Sequence, residues 1–543
     1  MDFSHIAAAA AEVADPMTLL VIMLGVFFGI IAGSIPGFTF TMALVLAFPF
    51  TFAMGPIPGL ALMIGIYIGG LSGGLIAGTL LGIPGTPSSV ATIFDGYPMT
   101  KNGQPARALG IGIAASVIGT ILGALVLFLL GPVIGRFTLN FGPWEIFSLV
   151  LFALTLVAGL SGKHLVKGLI AGALGLLIAM IGVAPTGQLR FNFDNPQLSG
   201  GLDAIPVLIG LFAVSQLLIN VEESRLDNRG ALAHATKIRM PVGQVIRDMW
   251  REKVNVGRSS MIGTFVGTLP AAGAESANFI SYDRAKKAQE KKDARQQRVT
   301  ASVGAGTTTP RESPREIEGV GAASPRGEEY GKGHPGGIVA SEASNSSVAG
   351  GAFIPTISLG IPGDVAQAIM MGALILHGIA PGPGLFDRQP VLVNSIYLAI
   401  VVAAVGVLII QALLLPFLAR VTLVPKAVLV PSVLVLTAVG AFALNNRIFD
   451  IWLVVVFGII GYLLVKLSVP LPPMILGLIL GGTLEENLLR ALQIDPQLST
   501  FLTRPISAVF LLLAVGSIAF ALYRAGKGPR RAPTGLETQG TGL

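Results

Sequence analysis

The chain has 543 residues, 52% of them apolar and 12% charged, against roughly 25% charged in ordinary soluble domains; with a mean hydropathy of +0.76, a string of water-soluble domains is excluded. Cysteine is absent, which excludes disulfides, zinc–thiolate sites and cysteine nucleophiles, and the 69 glycines and 35 prolines show no collagen-like three-residue period. The net charge of +7 does not point to nucleic acid, because the basic residues lie beside apolar segments, where the positive-inside rule accounts for them.

The composition predicts an all-α, polytopic membrane protein. A bilayer core of about 30 Å takes about 20 helical residues. Apolar runs occupy 17–35, 41–54, 58–82, 106–134, 145–160, 165–184, 204–221, 391–418, 427–444, 450–468, 472–484 and 505–523. Several are too short to cross alone, so roughly 10–12 transmembrane helices are expected together with re-entrant or broken hairpins. Gly/Pro clusters interrupt the apolar pattern at 33–37, 82–87, 267–273 and 360–363. Non-helical backbone at membrane depth survives only where protein buries it or a cavity solvates it.

The charges gather in three segments: 221–258, 283–334 and 524–543. The expected organisation is an N-terminal tail (1–16), a first transmembrane repeat (17–221) and a basic cytoplasmic arm (222–257). A second repeat (258–504) with a polar insertion (284–334), a final helix (505–523) and a basic tail (524–543) follow. The insertion has too few apolar residues to fold alone, and a disordered or mobile loop is expected. Residues 1–16 hold no Lys or Arg, whereas the tail holds Arg524, Lys527, Arg530 and Arg531. Loop charge therefore puts the C-terminus and the arm in the cytoplasm and the N-terminus outside. No basic n-region of a cleavable signal peptide is evident.

An internal repeat organises the chain. Residues 29–37 (GIIAGSIPG) align with 263–271 (GTFVGTLPA), and residues 73–85 with 350–363, each of the latter pair ending in GIPG. A Gly/Pro-interrupted segment at equivalent places in two halves is the sequence pointer to a secondary transporter's binding site. The repeats are expected to be inverted, with the breaks meeting near the bilayer midplane. Amide groups freed at half-helix N-termini suit a carboxylate, and freed carbonyls suit Na⁺. The substrate-binding candidates around the breaks are Pro36, Gly37, Thr39 and Thr41; Pro84, Gly85, Thr86, Ser88 and Ser89; Ala271, Gly273, Ser276 and Asn278; Asn345, Ser346 and Ser347; and Pro362 and Gly363. Asp364, Glu275 and Asn345 are the cation or proton candidates, since ionisable groups inside a membrane are costly. Glu342 precedes the Asn345 cluster, and Asp95 is expected to serve a turn. No catalytic residue, cofactor or metal beyond a coupling Na⁺ or H⁺ is expected. The histidines (His5, His164, His234, His334, His377) have no zinc-type spacing.

These motifs resemble the large membrane subunit of bacterial tripartite tricarboxylate transporters, the TctA type. The resemblance runs over about 17–500 and is carried by GSIPG (33–37), GIYIGGLSGGLIAGTLLGIPGTPSSVATIFDGYPMTKNGQPARALG (65–110), GTFVGTLPAAGAESANFISY (263–282), GGIVASEASNSSVAGGAFIPTISLGIPG (336–363) and GPGLF (382–386). It implies a secondary transporter of tricarboxylates or dicarboxylates in the bacterial inner membrane, driven by Na⁺ or H⁺ and fed by a periplasmic solute-binding protein. A small four-helix membrane subunit is the implied partner, and a homodimer is a further assembly to consider. The sequence departs from the family at Gly82, where an Asn is usual, and at Asp364, where a Ser is usual. A channel and a transport-incompetent receptor for a binding protein stand as alternatives. An intramembrane enzyme would need clustered acids, bases or metal ligands, which the sequence does not display.

Overall fold

The computed structural model describes residues 3–160, 165–222, 240–270, 272–304, 329–421 and 426–526. In chain order the helices begin with α1 (Phe3–Ala14), α2 (Pro16–Ser34), α3 (Phe40–Phe52), α4 (Pro56–Leu81), α5 (Val90–Lys101) and α6 (Pro105–Thr138). They continue with α7 (Pro143–Leu160), α8 (Leu165–Ala179), α9 (Pro196–Ser199), α10 (Ala204–Leu208), α11 (Ser215–Glu222), α12 (Val242–Arg251), α13 (Lys253–Gly267) and α14 (Gly273–Gly304). The remainder are α15 (Pro335–Leu359), α16 (Val365–Leu376), α17 (Leu385–Arg388), α18 (Pro390–Val421), α19 (Lys426–Asn445), α20 (Ile448–Lys466), α21 (Leu471–Ile494), α22 (Thr500–Thr503) and α23 (Pro505–Gly526). A two-residue antiparallel ladder, Gly182–Val183 with Leu189–Arg190, is the sheet among the described residues.

The all-α polytopic expectation holds. Seven helices among the described residues are long and apolar enough to cross a bilayer: α2, α4, α6, α18, α19, α20 and α23. Others, including α3, α7, α8 and α16, are apolar but shorter than a full crossing. Helices end at each Gly/Pro cluster: α2 at Ser34, α4 at Leu81, α13 at Gly267 and α15 at Leu359. Three local features differ from or add to the sequence reading. Within the tail 1–16, Phe3–Ala14 is helical and packs on α18. The first part of the polar insertion continues α14 to Gly304 rather than forming a loop; 305–328 lie outside the described residues, as do 223–239 of the basic arm and 527–543 of the tail. And α15 is absent from the apolar runs, yet every residue from Pro335 to Ser358 is buried. It is rich in Gly, Ala and Ser, so neighbouring backbones can close around it where bulkier apolar residues would hold them off.

The chain forms two compact units, 1–140 with 203–463 and 141–202 with 464–543, and these cut across the two sequence halves. In the second unit Arg504 bonds Glu145 at 2.6 Å and lies 4.4 Å over the Trp144 ring. Arg190 grips Glu485 through two parallel bonds of 2.7 and 2.8 Å, and Gly175 lies against the Met474 carbonyl. The first unit holds all the candidate site residues. Its centre is built from small residues. Gly25, Gly29 and Gly33 of α2 face Gly65, Gly69 and Gly73 of α4 so closely that a Cβ on any of them would overlap the other helix's backbone. Gly263 and Gly267 of α13, and Gly119 and Gly123 of α6, do the same against α15. Lipid gives no hydrophobic drive between helices, so this close backbone approach supplies the association.

Candidate functional site

Both central helices, α4 and α15, end in the same way. Gly82 and Gly360 cap them in the left-handed region, with φ of 68° and 69°. There a side chain would be strained, which suits glycine. A further Ile-Pro-Gly follows in each case. The two tips then diverge. In the first, Thr86 and Ser89 form a reciprocal capping box around the single turn Pro87–Ser89, which leads into α5. The Thr86 and Ser88 hydroxyls lie 3.1 Å apart. In the second, Asp364 caps α16 by accepting the Gln367 amide at 2.8 Å and accepts the Tyr67 hydroxyl of α4 at 2.5 Å.

The helices α4 and α15 cross where Asn345 donates to the Leu71 carbonyl at 2.8 Å. The tips flank this crossing. Asp364 meets α4 at Tyr67, four residues before Leu71, and Thr86 meets it at Gly74, where a Cβ would overlap the Thr86 hydroxyl. At 1.5 Å per residue the two caps address α4 about 10 Å apart, one on either side of the crossing. The first tip also reaches the second half directly, since Asn278 donates to the Ser88 carbonyl. Buried polar atoms without a hydrogen-bond partner among the described residues collect here: Asn345 Oδ1, Ser344 Oγ, Asn278 Oδ1, both amide atoms of Gln367 and Gln411 Nε2. Native structures satisfy most such atoms, so a concentration of open ones marks a place built to take polar ligands.

A turn from Asn345 on α15, Glu342 is fully buried. It accepts the Thr92 hydroxyl at 2.5 Å and the Ser116 hydroxyl at 3.1 Å. Ser346 donates to Ser116 at 3.0 Å, and Thr92 also lies 3.0 Å from Ser341. Thr92 has one hydroxyl proton, and the shorter contact directs it to the carboxyl group. Neither Glu342 nor Asp364 belongs to an ion pair among the described residues. Two acids without a cationic partner in a helical body of this kind are functional by default.

Asp95 is different. It accepts the backbone amides of Gly331, Gly333 and His334 at 2.8, 3.0 and 2.8 Å and the Tyr282 hydroxyl at 2.8 Å. It lies within α5 rather than in the turn expected for it, and fastens the segment before α15 to that helix.

The other sequence candidates sort by geometry. Pro36 and Gly37 turn the chain between α2 and α3, Thr39 caps α3 through the Met42 amide at 3.3 Å, and Thr41 is half-buried. Phe40 between them packs on Tyr67 at 5.7 Å between ring centres, which brings this turn beside the Asp364 contact. Gly85 lies against the Gly33 carbonyl, and Gly363 against Ala352. Pro84 and Pro362 sit within the two tips, with Pro362 buried and Pro84 half-buried. Ser347 bonds the Ser344 carbonyl within α15 at 3.1 Å. Gly273 begins α14 with φ of 67°, and Glu275 and Ser276 lie on that helix's exposed side, away from the crossing. Ala271 is outside the described residues. Sequence reading missed Tyr67, Thr92, Ser116, Gln367 and Gln411. The first had a signal: the offset of 278 that superposes the GIPG motifs also pairs Tyr67 with Asn345 and Thr86 with Asp364.

No group of three or more His, Cys, Asp or Glu among the described residues is placed to hold a metal. Gly70–Gly74 reads as G-x-S-x-G, but Ser72 is in the middle of α4 and donates to Gln411 at 3.3 Å, not in a strand-to-helix elbow.

Comparison with known proteins agrees with this architecture. The sequence profile of the tripartite tricarboxylate transporter TctA family matches residues 19–476. An Agrobacterium vitis protein described as an uncharacterized 52.8 kDa protein in the TAR-I ttuC' 3' region is 29% identical over 509 residues, 93% of each chain. A second from the same organism, described as an uncharacterized protein in the TAR-II ttuC' 3' region, is 34% identical over 195 residues, 36% of this chain and 81% of its own length. No solved structure matches the chain. A profile covering most of the sequence, on a polytopic helical body, makes the chain a multi-pass membrane component of a tripartite transporter with partner subunits: it belongs to the tripartite tricarboxylate transporter TctA family.

Proposed function

We propose that the chain is a secondary active transporter subunit that imports small tricarboxylates or dicarboxylates across the bacterial inner membrane by alternating access at the α4–α15 crossing. Its N-terminus lies outside and its C-terminus in the cytoplasm. A periplasmic solute-binding protein delivers the substrate, and a small four-helix membrane subunit completes the assembly. The observation that carries this reading is the flanking of the Asn345–Leu71 contact by the two capped tips, Thr86 on one side and Asp364 on the other. A wet midplane site between discontinuous helices from two halves is how such carriers hold a small anion. The two halves are taken as inverted repeats.

The substrate's negative charge has to be offset. Asp364 and Glu342 would repel it unless each carries a proton or a cation when substrate is present. Coupling follows: the cation enters with the anion. Uptake of radiolabelled citrate and succinate into proteoliposomes holding the chain with its partners, under imposed Na⁺ or proton gradients, tests this. Accumulation against the substrate gradient supports the reading. Rapid equilibration indifferent to both gradients would indicate a channel, and binding-protein docking without flux a receptor. Glu342→Gln keeps the shape of the Thr92–Ser116 nest but removes the exchangeable charge. Gradient-driven accumulation is expected to fall by about tenfold or more while substrate exchange at equilibrium persists.

A further inference from the structure

A cavity lies away from the crossing. It has a volume of about 290 Å³ and is bordered by Arg136 at the end of α6, Asp387 of α17, Asn394 and Tyr397 of α18, and His5 of α1. Arg136 and Asp387 belong to no ion pair among the described residues. Tyr397 is 6% exposed, its ring is held edge-on to Phe128 at 5.5 Å, and its hydroxyl lacks a hydrogen-bond partner among the described residues. A buried phenol lining a cavity beside a guanidinium that has no ion-pair partner among the described residues fits a carboxylate. The guanidinium offers a fork of N–H groups matched to two carboxylate oxygens, and the phenol adds a third donor. The volume is near the lower end for small-molecule sites, about 300 Å³, and suits an acid of a few carbons.

The position of the cavity gives it a side. Near the start of α6, Arg107 bonds Asp248 of α12 at 2.7 Å, and α12 belongs to the basic arm. Arg136 follows Arg107 by 29 residues on the same helix, about 44 Å along its axis. That exceeds a hydrocarbon core of about 30 Å, so the arm and the cavity belong to opposite faces of the membrane. We infer that this cavity is an outward-facing capture site for small carboxylates, in which Arg136 and Tyr397 hold the anion before it reaches the crossing. It rests on the importer reading for its direction, not for its chemistry. Asp387 on the rim disfavours anions, so its removal tightens binding.

The chain lacks cysteine, so Asp387→Cys supplies a single thiol at the rim, with Gln389→Cys as a second reporter should the first fail to fold. Each is reconstituted in proteoliposomes and treated with a membrane-impermeant maleimide. Gly243→Cys on α12 reports the opposite face. Citrate or succinate is expected to slow labelling of the rim thiol. Adding Arg136→Gln raises the half-protecting concentration about tenfold, the size of one charge-assisted contact. Arg136→Lys retains part of the protection, and in the Gln389→Cys background Asp387→Asn lowers the half-protecting concentration. Protection persists with Asp364→Ser, which separates this site from the crossing. The proposal is overturned by labelling of the rim thiol and the Gly243→Cys thiol from the same face, by no protection from either acid, by equal protection from sulfate at the same ionic strength, or by protection indifferent to Arg136.

Discussion

The tips at 82–89 and 360–367 share a sequence motif and a backbone but not a chemistry. Each begins with a glycine at φ near +70° and continues Ile-Pro-Gly. The first then closes on itself: Thr86 and Ser89 satisfy each other, and Thr86 is 1% exposed. The second opens outward: Asp364 caps its own helix with one oxygen and takes a hydroxyl from Tyr67, 297 positions earlier, with the other. One tip is neutral and its capping hydroxyls satisfy each other, with the Ser88 carbonyl left to Asn278, while the other carries an acid whose hydroxyl partner comes from the opposite half. The motif therefore specifies the turn, and the residue after it specifies what the turn can bind.

Exchanging the caps is the strongest way to break this comparison. Thr86→Asp places an acid in a buried box that holds no tyrosine, and an unpaired buried charge costs about 3–5 kcal/mol. The expected outcome is a large fall in thermal stability and in the yield of monodisperse protein. Asp364→Thr keeps a capping oxygen for α16 but removes the charge. The fold is expected to persist, and gradient-driven uptake to fall by roughly 10- to 150-fold, the equivalent of a charge-assisted bond at about 1.5–3 kcal/mol. Wild-type uptake with this variant would remove Asp364 from the coupling machinery.

Alanine at the two capping glycines sharpens the comparison. Each pays left-handed strain of about 1–2 kcal/mol. The new Cβ of Gly360→Ala would lie 2.9 Å from the Pro381 carbonyl, and that of Gly82→Ala 2.9 Å from the Tyr97 ring. A ring can rotate away where a backbone carbonyl cannot, so Gly360→Ala is expected to be the more destabilising of the two in thermal unfolding. The smallest effect belongs to Tyr67→Phe, which removes the hydroxyl from Asp364 and leaves the Phe40 contact in place. About 0.5–1.5 kcal/mol, read as a few-fold rise in the half-saturating coupling-ion concentration with the maximal rate preserved, is the expected result. An equal effect of Tyr67→Phe in the Asp364→Thr background would show that the two residues act independently.

Much of this was legible before any coordinates. Scarcity of charge can be met only by lipid, so membrane residence and the all-α class followed from composition. Helix ends at Gly82 and Gly360 followed from the Gly/Pro clusters, because glycine and proline act on the backbone at their own positions. The repeated motif drew attention to both tips. The burial of α15 was not legible, because hydropathy counts side chains and not the neighbours that small residues let approach. Nor was the partnership of Tyr67 with Asp364, of Glu342 with Thr92 and Ser116, or of Asn278 with Ser88. Each joins residues more than 180 positions apart. Local chemistry decides where a helix stops and what caps it; which side chains then share a buried space depends on how helices cross, and only the packed structure decides that.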